Sequence, residues 1–119
     1  MQYEGMERRR HPRVPSRFVV SYRLKGDLNP PDISQIKNIS VGGVLFTSHS
    51  AFQKDAILEL NLRIPFVFEL VSLEARVIAS NEVAKDMIYD TRVEFIDVPE
   101  RYLHNLKEAV DFYHKKLEH

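Results

Sequence analysis

Two short groups of polar residues carry atoms that could bind an anionic nucleotide. Arg9 and Arg13 lie four positions apart, and Asn38, Ser40 and Gly43 follow about 25 residues later in the pattern N-x-S-x-x-G. A guanidinium group presents parallel N–H donors that match a phosphate, or the N7 and O6 acceptors of guanine, and it can stack on a base. The arginine pair therefore suits a phosphate or a guanine base, and Asn38 and Ser40 add side chains that can form hydrogen bonds.

The arginine-rich segment is hidden by the overall charge. The chain has 17 basic and 17 acidic residues, but five of the basic ones are arginines between positions 8 and 17: Arg8, Arg9, Arg10, Arg13 and Arg17. A solvated leader is the alternative interpretation. A segment that only increases solubility could use lysine as well as arginine, but lysine is absent there. Pro12 and Pro15 restrict the backbone toward extended conformations. We expect residues 1–16 to form a flexible arm that is part of the ligand site.

The second group lies at a strand end. Asn38 and Ser40 are two apart, so on extended backbone they project to one face and can meet the Watson–Crick edge of guanine. Gly43 either adopts positive φ or lets a ligand approach the backbone closely. Taken alone, Asn and Ser before Gly42 and Gly43 are also typical of an ordinary hairpin turn.

The rest of the chain predicts the scaffold for these groups. Apolar residues alternate in six segments, at 18–24, 33–39, 44–47, 56–64, 71–79 and 87–96. The clearest is the fourth, which should bury Leu58, Leu60, Leu62 and Ile64. Turn formers at 26–31 separate the first two segments. Short strands at this spacing predict a mainly β fold, a closed antiparallel barrel or a sandwich.

The tail changes to a helical period. Asp97 and Glu100 have the spacing of a capping box, with Pro99 in the first turn. Leu103, Leu106, Val110 and Tyr113 then recur at helical spacing, which predicts an amphipathic helix covering part of the barrel or its open end. We expect residues 17–116 to form this barrel and helix, and residues 117–119 to be the remnant of an affinity tag.

Composition excludes several classes of function. A chain of 119 residues without cysteine fits a single domain with no disulfide and no thiolate chemistry. It carries no motif of a nucleophile elbow, a zinc protease or a phosphate-binding loop, so we expect neither an enzyme nor a metal site. No apolar run is long enough to span a membrane, and the first residues lack a signal-peptide pattern. We therefore expect a cytoplasmic protein.

The order and spacing of R-x-x-x-R and N-x-S-x-x-G resemble the PilZ domain, a bacterial receptor family for cyclic di-GMP. The resemblance extends from Glu7 to about Tyr113 and implies a six-stranded antiparallel β-barrel with a C-terminal α-helix. It also implies the ligand-binding residues Arg9, Arg13, Asn38, Ser40 and Gly43, supported by Arg8, Arg10 and Gly42. Two positions depart from the family pattern: Asn38 stands where many members have Asp, and residues 90–92 stand where a glycine is expected before Val93.

The resemblance implies a single-domain receptor that needs no cofactor, changes conformation on binding cyclic di-GMP, and signals to a downstream protein. One alternative is a degenerate member that acts only as a protein adaptor, with residues 66–68 as an apolar patch. Another is a binder of single-stranded nucleic acid. That mode needs aromatic side chains on the binding face, and most aromatics here fall on expected core positions. We therefore expect no nucleic-acid partner and no membrane insertion.

Overall fold

The computed structural model of the protein describes residues 18–64 and 70–117. Within this part of the chain lie six strands and one helix: β1 (Val19–Leu24), β2 (Asp32–Ser40), β3 (Gly43–Ser48), β4 (Ile57–Arg63), β5 (Val71–Ala84), β6 (Ile88–Ile96) and α1 (Glu100–Leu117). All strand pairs are antiparallel, and they form a closed barrel in the order β1-β2-β3-β6-β5-β4. Tyr22 shows the closure, because its backbone lies opposite Asp32 of β2 on one side and Leu60 of β4 on the other. The predicted barrel with a C-terminal helix is confirmed.

Alternating side chains fill the inside of the barrel. In β4, Leu58, Leu60 and Leu62 are at most 1% exposed, while Glu59 and Asn61 between them face outward. Burying one such aliphatic side chain contributes about 1.5–3 kcal/mol relative to leaving it exposed. Because the interior is packed with side chains, a ligand of nucleotide size has to bind on the outer surface or at a barrel end.

A β-bulge in β2 decides which residues face outward near the barrel end. Ile36 lies opposite Phe46 of β3, whereas Asn38 lies opposite the adjacent Leu45, so Lys37 is the extra residue of β2. Ile36 and Ile39 are therefore both buried, and Lys37 and Asn38 both face solvent. Without the extra residue, the strict alternation of a strand would turn Asn38 to the same side as Ile36, into the core.

The last hairpin is longer than the sequence pattern predicts. β5 continues past position 79 to Ala84, because Ser80–Glu82 pair with Tyr89–Thr91 of β6. β5 also contains two register shifts, and at the first of them Ile78 is left without a partner in β6. Ile78 consequently projects outward and is 40% exposed.

Helix α1 packs Tyr102, Leu106 and Ala109 against the core. Leu103, which was expected on this apolar face, is 39% exposed because Tyr102 takes the inward position. The predicted capping box is wrong: α1 begins at Glu100, so Pro99 precedes it, and Asp97 has a φ of 48° that turns the chain out of β6. In residues 18–64 and 70–117, no helix combines the length and apolar character that crossing a bilayer requires.

Candidate functional site

The turn between β2 and β3 is organised by the hydroxyl group of Ser40. Its Oγ accepts hydrogen bonds from the backbone N–H groups of Gly42 and Gly43, both at 3.2 Å, and donates to the Gly43 carbonyl at 3.3 Å. A serine hydroxyl has one donor and two acceptor lone pairs, so these three bonds use its whole capacity. A ligand that bonds to Ser40 therefore has to displace one of these contacts, and the first role of Ser40 is to shape the turn.

Asn38 is exposed on the outward side of the bulge. Its Oδ1 accepts the N–H of Ile39 at 2.9 Å, which assigns the oxygen of the amide to the backbone side. The amide nitrogen, with two N–H donors, is left to face solvent. The side chain that sequence analysis assigned to a guanine edge thus offers two donors and one remaining acceptor lone pair.

The two glycines of the turn differ in what surrounds them. Neither Gly42 nor Gly43 has positive φ, so that explanation for Gly43 is wrong; among the described glycines, only Gly26 has it, at 89°. A Cβ on Gly43 would collide with the carbonyl oxygen of Val93 and would lie 3.0 Å from the Cα of Glu94. The backbone that approaches Gly43 is therefore β6. At Gly42 a Cβ would meet nothing nearer than the Ser40 Oγ at 4.0 Å.

An open cavity of about 150 Å³ lies over this turn on the outer face of the barrel. Asn38, Ser40, Gly42 and Gly43 line it together with residues that the sequence motifs did not single out: Leu45, Ile78, Arg92 and Glu94. A water molecule occupies about 30 Å³ in the liquid, so the cavity holds about five waters. That volume accommodates part of one base, and a cyclic dinucleotide would have to extend beyond it.

Strand register explains why these further residues reach the site. Leu45 of β3 pairs with Asn38 of β2 on one side and with Arg92 of β6 on the other, so these three residues form a row across the outer face. Gly43 pairs in the same way with Ser40 and Glu94. Since Gly43 has no side chain, the surface between Ser40 and Glu94 is a depression. The 90–92 segment keeps regular pairing with β3, and on its other side the register of β5 shifts between Val77 and Ala79, opposite Val93 and Arg92.

The charges around the cavity are distributed unevenly. Glu94 forms an ion pair with Arg76, and the hydrogen bond and charge of Glu94 raise the pKa of the Arg76 guanidinium. Asp90 is likewise paired with Lys37, with 2.9 Å between Oδ2 and Nζ. Arg92 is exposed and forms no ion pair with any residue that the structure describes. The uncompensated charge at the cavity is therefore positive, which favours an anion.

The arginines of the R-x-x-x-R motif, Arg9 and Arg13, lie outside the described residues, as do Arg8 and Arg10. The place where their segment joins the barrel is described. The carbonyl of Phe18 accepts the N–H of Ile36 at 2.9 Å, so the chain enters the barrel beside β2, two positions before Asn38. An extended chain advances at most about 3.5 Å per residue, so the five residues from Arg13 to Phe18 can span about 17 Å.

Two other predictions from the sequence concern an apolar patch and a metal site. The apolar residues 66–68 lie outside the described part of the chain. Within the described part, no three side chains of His, Asp or Glu come close enough together to hold a metal ion. Arg92 and Glu94 could not be found from local sequence, because their position depends on which strand β6 pairs with.

Comparison with known proteins identifies the family and the fold. The profile of the PilZ domain matches residues 7–112. The inhibitor of motility from Bacillus subtilis, MotI/DgrA, has a similar structure with a TM-score of 0.67 at 19% identity; the match covers 93% of this chain and 54% of that one. The PilZ domain of YcgR from Escherichia coli, solved with c-di-GMP, gives a TM-score of 0.63 at 14% identity, covering 93% and 95%. At these identities the likeness shows the fold. This chain spans about half the length of the Bacillus protein. Comparison with curated proteins finds no match.

Proposed function

The chain belongs to the PilZ domain family, and on that basis we propose that it is a receptor for cyclic di-GMP that changes conformation when it binds this second messenger. The proposal assigns no catalytic step to the domain. The absence of cysteine suits the cytosol, where we propose that the protein acts. Its output would be contact with a downstream protein.

One observation carries the proposal: the hydrogen bond between Ile36 and Phe18 joins the arginine segment to the strand that bears Asn38. The segment that carries Arg9 and Arg13 therefore joins the barrel beside β2, which supports a site shared by the two sequence motifs. The reach of about 17 Å allows Arg13 to return over the cavity, and Arg9 lies one further four-residue step along the chain. A single base can then contact both groups.

The chemistry of the site fits an anionic guanine nucleotide. Arg9 and Arg13 can bond to the guanine N7 and O6 or stack on the ring, and Arg8 and Arg10 can bind the phosphodiesters. Arg92 adds an exposed guanidinium on the barrel itself. A micromolar dissociation constant corresponds to about 8 kcal/mol, which the contacts must supply in addition to the cost of ordering the arginine segment. Four or five charge-assisted hydrogen bonds of about 1.5–3 kcal/mol each contribute about 6–15 kcal/mol toward this total.

Titration calorimetry tests the proposal directly. We expect saturable binding of cyclic di-GMP and no comparable binding of cyclic di-AMP, which lacks the guanine O6, or of GTP. Closure of the arginine segment over the ligand should also slow its cleavage by trypsin, which cuts after arginine. Equal binding of cyclic di-AMP would overturn the guanine assignment, and no heat with any of the three nucleotides would overturn the receptor function.

A second candidate function is an adaptor that binds protein and no nucleotide. The observation in its favour is the fully used hydroxyl of Ser40, which leaves the turn complete without a ligand. The absence of binding in the same titration would favour this function. The apolar residues 66–68 would then be the first to substitute in a search for the protein contact.

A further inference from the structure

The phenol of Tyr113, in the C-terminal half of α1, reaches the strand that carries Asn38. Its hydroxyl donates a hydrogen bond to the backbone carbonyl of Lys37. Lys37 is the extra residue of the β2 bulge. The carbonyl of Lys37 and the nitrogen of Asn38 belong to one planar peptide unit. The hydrogen bond from Tyr113 therefore fixes the orientation of the peptide from which Asn38 begins.

The side chain of Lys37 is held from another direction. Its Nζ lies 2.9 Å and 3.1 Å from the two carboxylate oxygens of Asp90 in β6. An exposed ion pair of this kind contributes little to stability by itself. Together with Tyr113 it restrains the extra residue at both ends, the side chain against β6 and the carbonyl against α1.

Tyr113 also contacts the residue at which the arginine segment meets the barrel. Its ring packs edge-on against Phe18, with 5.2 Å between centroids and 79° between planes. Phe112 stacks on the ring of Phe18, with 6.3 Å between centroids. Phe18 is 3% exposed and follows Arg17 directly in the sequence. One side chain of α1 thus touches both parts of the chain that the ligand has to bridge.

We propose that Tyr113 is a positioning residue of the nucleotide site, whose hydroxyl orients the Lys37–Asn38 peptide so that Asn38 faces the cavity. The inference rests on the proposed function, because the ligand is cyclic di-GMP. It has a second consequence. If the helix favours the binding-competent arrangement, linkage requires that bound ligand favour the same contact of the helix. Ligand binding on the barrel then stabilises the contact made by the C-terminal half of α1.

The variant Tyr113→Phe tests this inference, because it keeps the ring against Phe18 and removes the hydroxyl alone. We expect the dissociation constant for cyclic di-GMP to rise about two- to tenfold, the factor that corresponds to one lost hydrogen bond. In NMR spectra of the free protein, the amide signals of Asn38 and Ile39 should move. Ligand-induced shifts at helix positions 110–115, expected in the wild type, should become smaller.

The matched control is Tyr102→Phe on the same helix. The Tyr102 hydroxyl accepts a hydrogen bond from Arg101, 3.2 Å away, and removing it deletes the same atom without touching the bulge. A purely structural role of Tyr113 would lower the thermal midpoint as Tyr102→Phe does and leave affinity and the Asn38 signal unchanged at 25 °C. That result overturns the inference while wild-type binding keeps the receptor function intact. No binding by the wild type overturns the receptor function first, and the positioning role with it.

Discussion

Gly43 of β3 packs its α-carbon against the carbonyl group of Val93 in β6. The two strands approach so closely that no side chain fits between them, and the carbonyl of Gly42 accepts the N–H of Phe95 at 2.8 Å on the same edge. The glycine that ends the N-x-S-x-x-G motif is therefore required first by the barrel. Its lack of a side chain also creates the depression over which a ligand can lie.

The first prediction compares the two glycines of this turn. Gly43→Ala should lower the free energy of unfolding by about 1–3 kcal/mol, since the added methyl forces β3 away from β6. Gly42→Ala is the control, because its methyl meets open space, and we expect a change within about 0.5 kcal/mol. Urea denaturation of both variants measures the difference. Equal stability of the two would contradict the strand contact described above.

Local sequence predicted the core well where one strand face is buried throughout. The alternation in β4 placed Leu58, Leu60 and Leu62 inside because no bulge interrupts that strand. In β2 the sequence prediction did not use one available signal, the spacing of Ile36 and Ile39, since two apolar residues three positions apart can both face inward only across an extra residue. That signal predicts the bulge and hence the outward direction of Asn38.

The remaining part of the site depends on pairing between distant strands. Arg92 reaches the cavity because β6 is inserted between β3 and β5, a neighbour relation that no local pattern contains. The same holds for Tyr113, whose bond to Lys37 joins residues 76 positions apart. The motifs identified the polar groups of the turn, and topology added the charged and helical residues around them.

The second prediction concerns the arginine segment. Arg9→Ala or Arg13→Ala should weaken binding of cyclic di-GMP about ten- to a thousandfold, because each removes a charge-assisted contact, and the thermal midpoint of the free protein should hardly change. Arg63→Ala is the matched control, an exposed arginine at the end of β4. Calorimetry and thermal unfolding measure the two effects. A large loss of stability in either motif variant would mean that these arginines support the fold instead of the ligand.

The third prediction concerns Asn38→Asp. The Oδ1 of Asn38 already accepts the N–H of Ile39, which leaves this amide one acceptor lone pair beside its two donors, whereas the Watson–Crick edge of guanine presents N–H donors that need acceptors. A carboxylate could keep the bond to Ile39 and accept from guanine with its second oxygen. We expect about tenfold tighter binding. Asn29→Asp adds the same charge in the β1–β2 loop and should have no effect, and weaker binding by Asn38→Asp would show that the amide donors contact the ligand.

The fourth prediction concerns a buried chain of hydroxyl groups that joins β3, β6 and β5. Ser48 donates its proton to the Ser50 carbonyl at 2.8 Å, so Thr91 has to donate to Ser48 and Ser80 to Thr91, each at 2.8 Å. Thr91→Val keeps the shape but leaves two partners unsatisfied, which should cost about 1–3 kcal/mol. Thr47→Val, at a half-buried position one residue from Ser48, is the control for urea denaturation. A neutral effect of Thr91→Val would mean that water replaces the lost hydroxyl.

The fifth prediction concerns stability at alkaline pH. Burial raises the pKa of the Tyr22 phenol, and it raises that of Tyr113 as well. In the unfolded chain a tyrosine ionises at about pH 10. Above that pH the unfolded state loses protons that the folded state retains. The stabilisation that follows from the raised pKa of the two phenols is therefore fully present below about pH 10, and the free energy of unfolding falls as the pH rises beyond it. Tyr22→Phe removes one of these phenols. The urea midpoint of the variant should therefore fall less steeply with pH than that of the wild type, because the lysines that ionise in the same range are common to both proteins. Parallel curves for the two proteins above about pH 10 would show that Tyr22 ionises in the folded barrel as readily as in the unfolded chain.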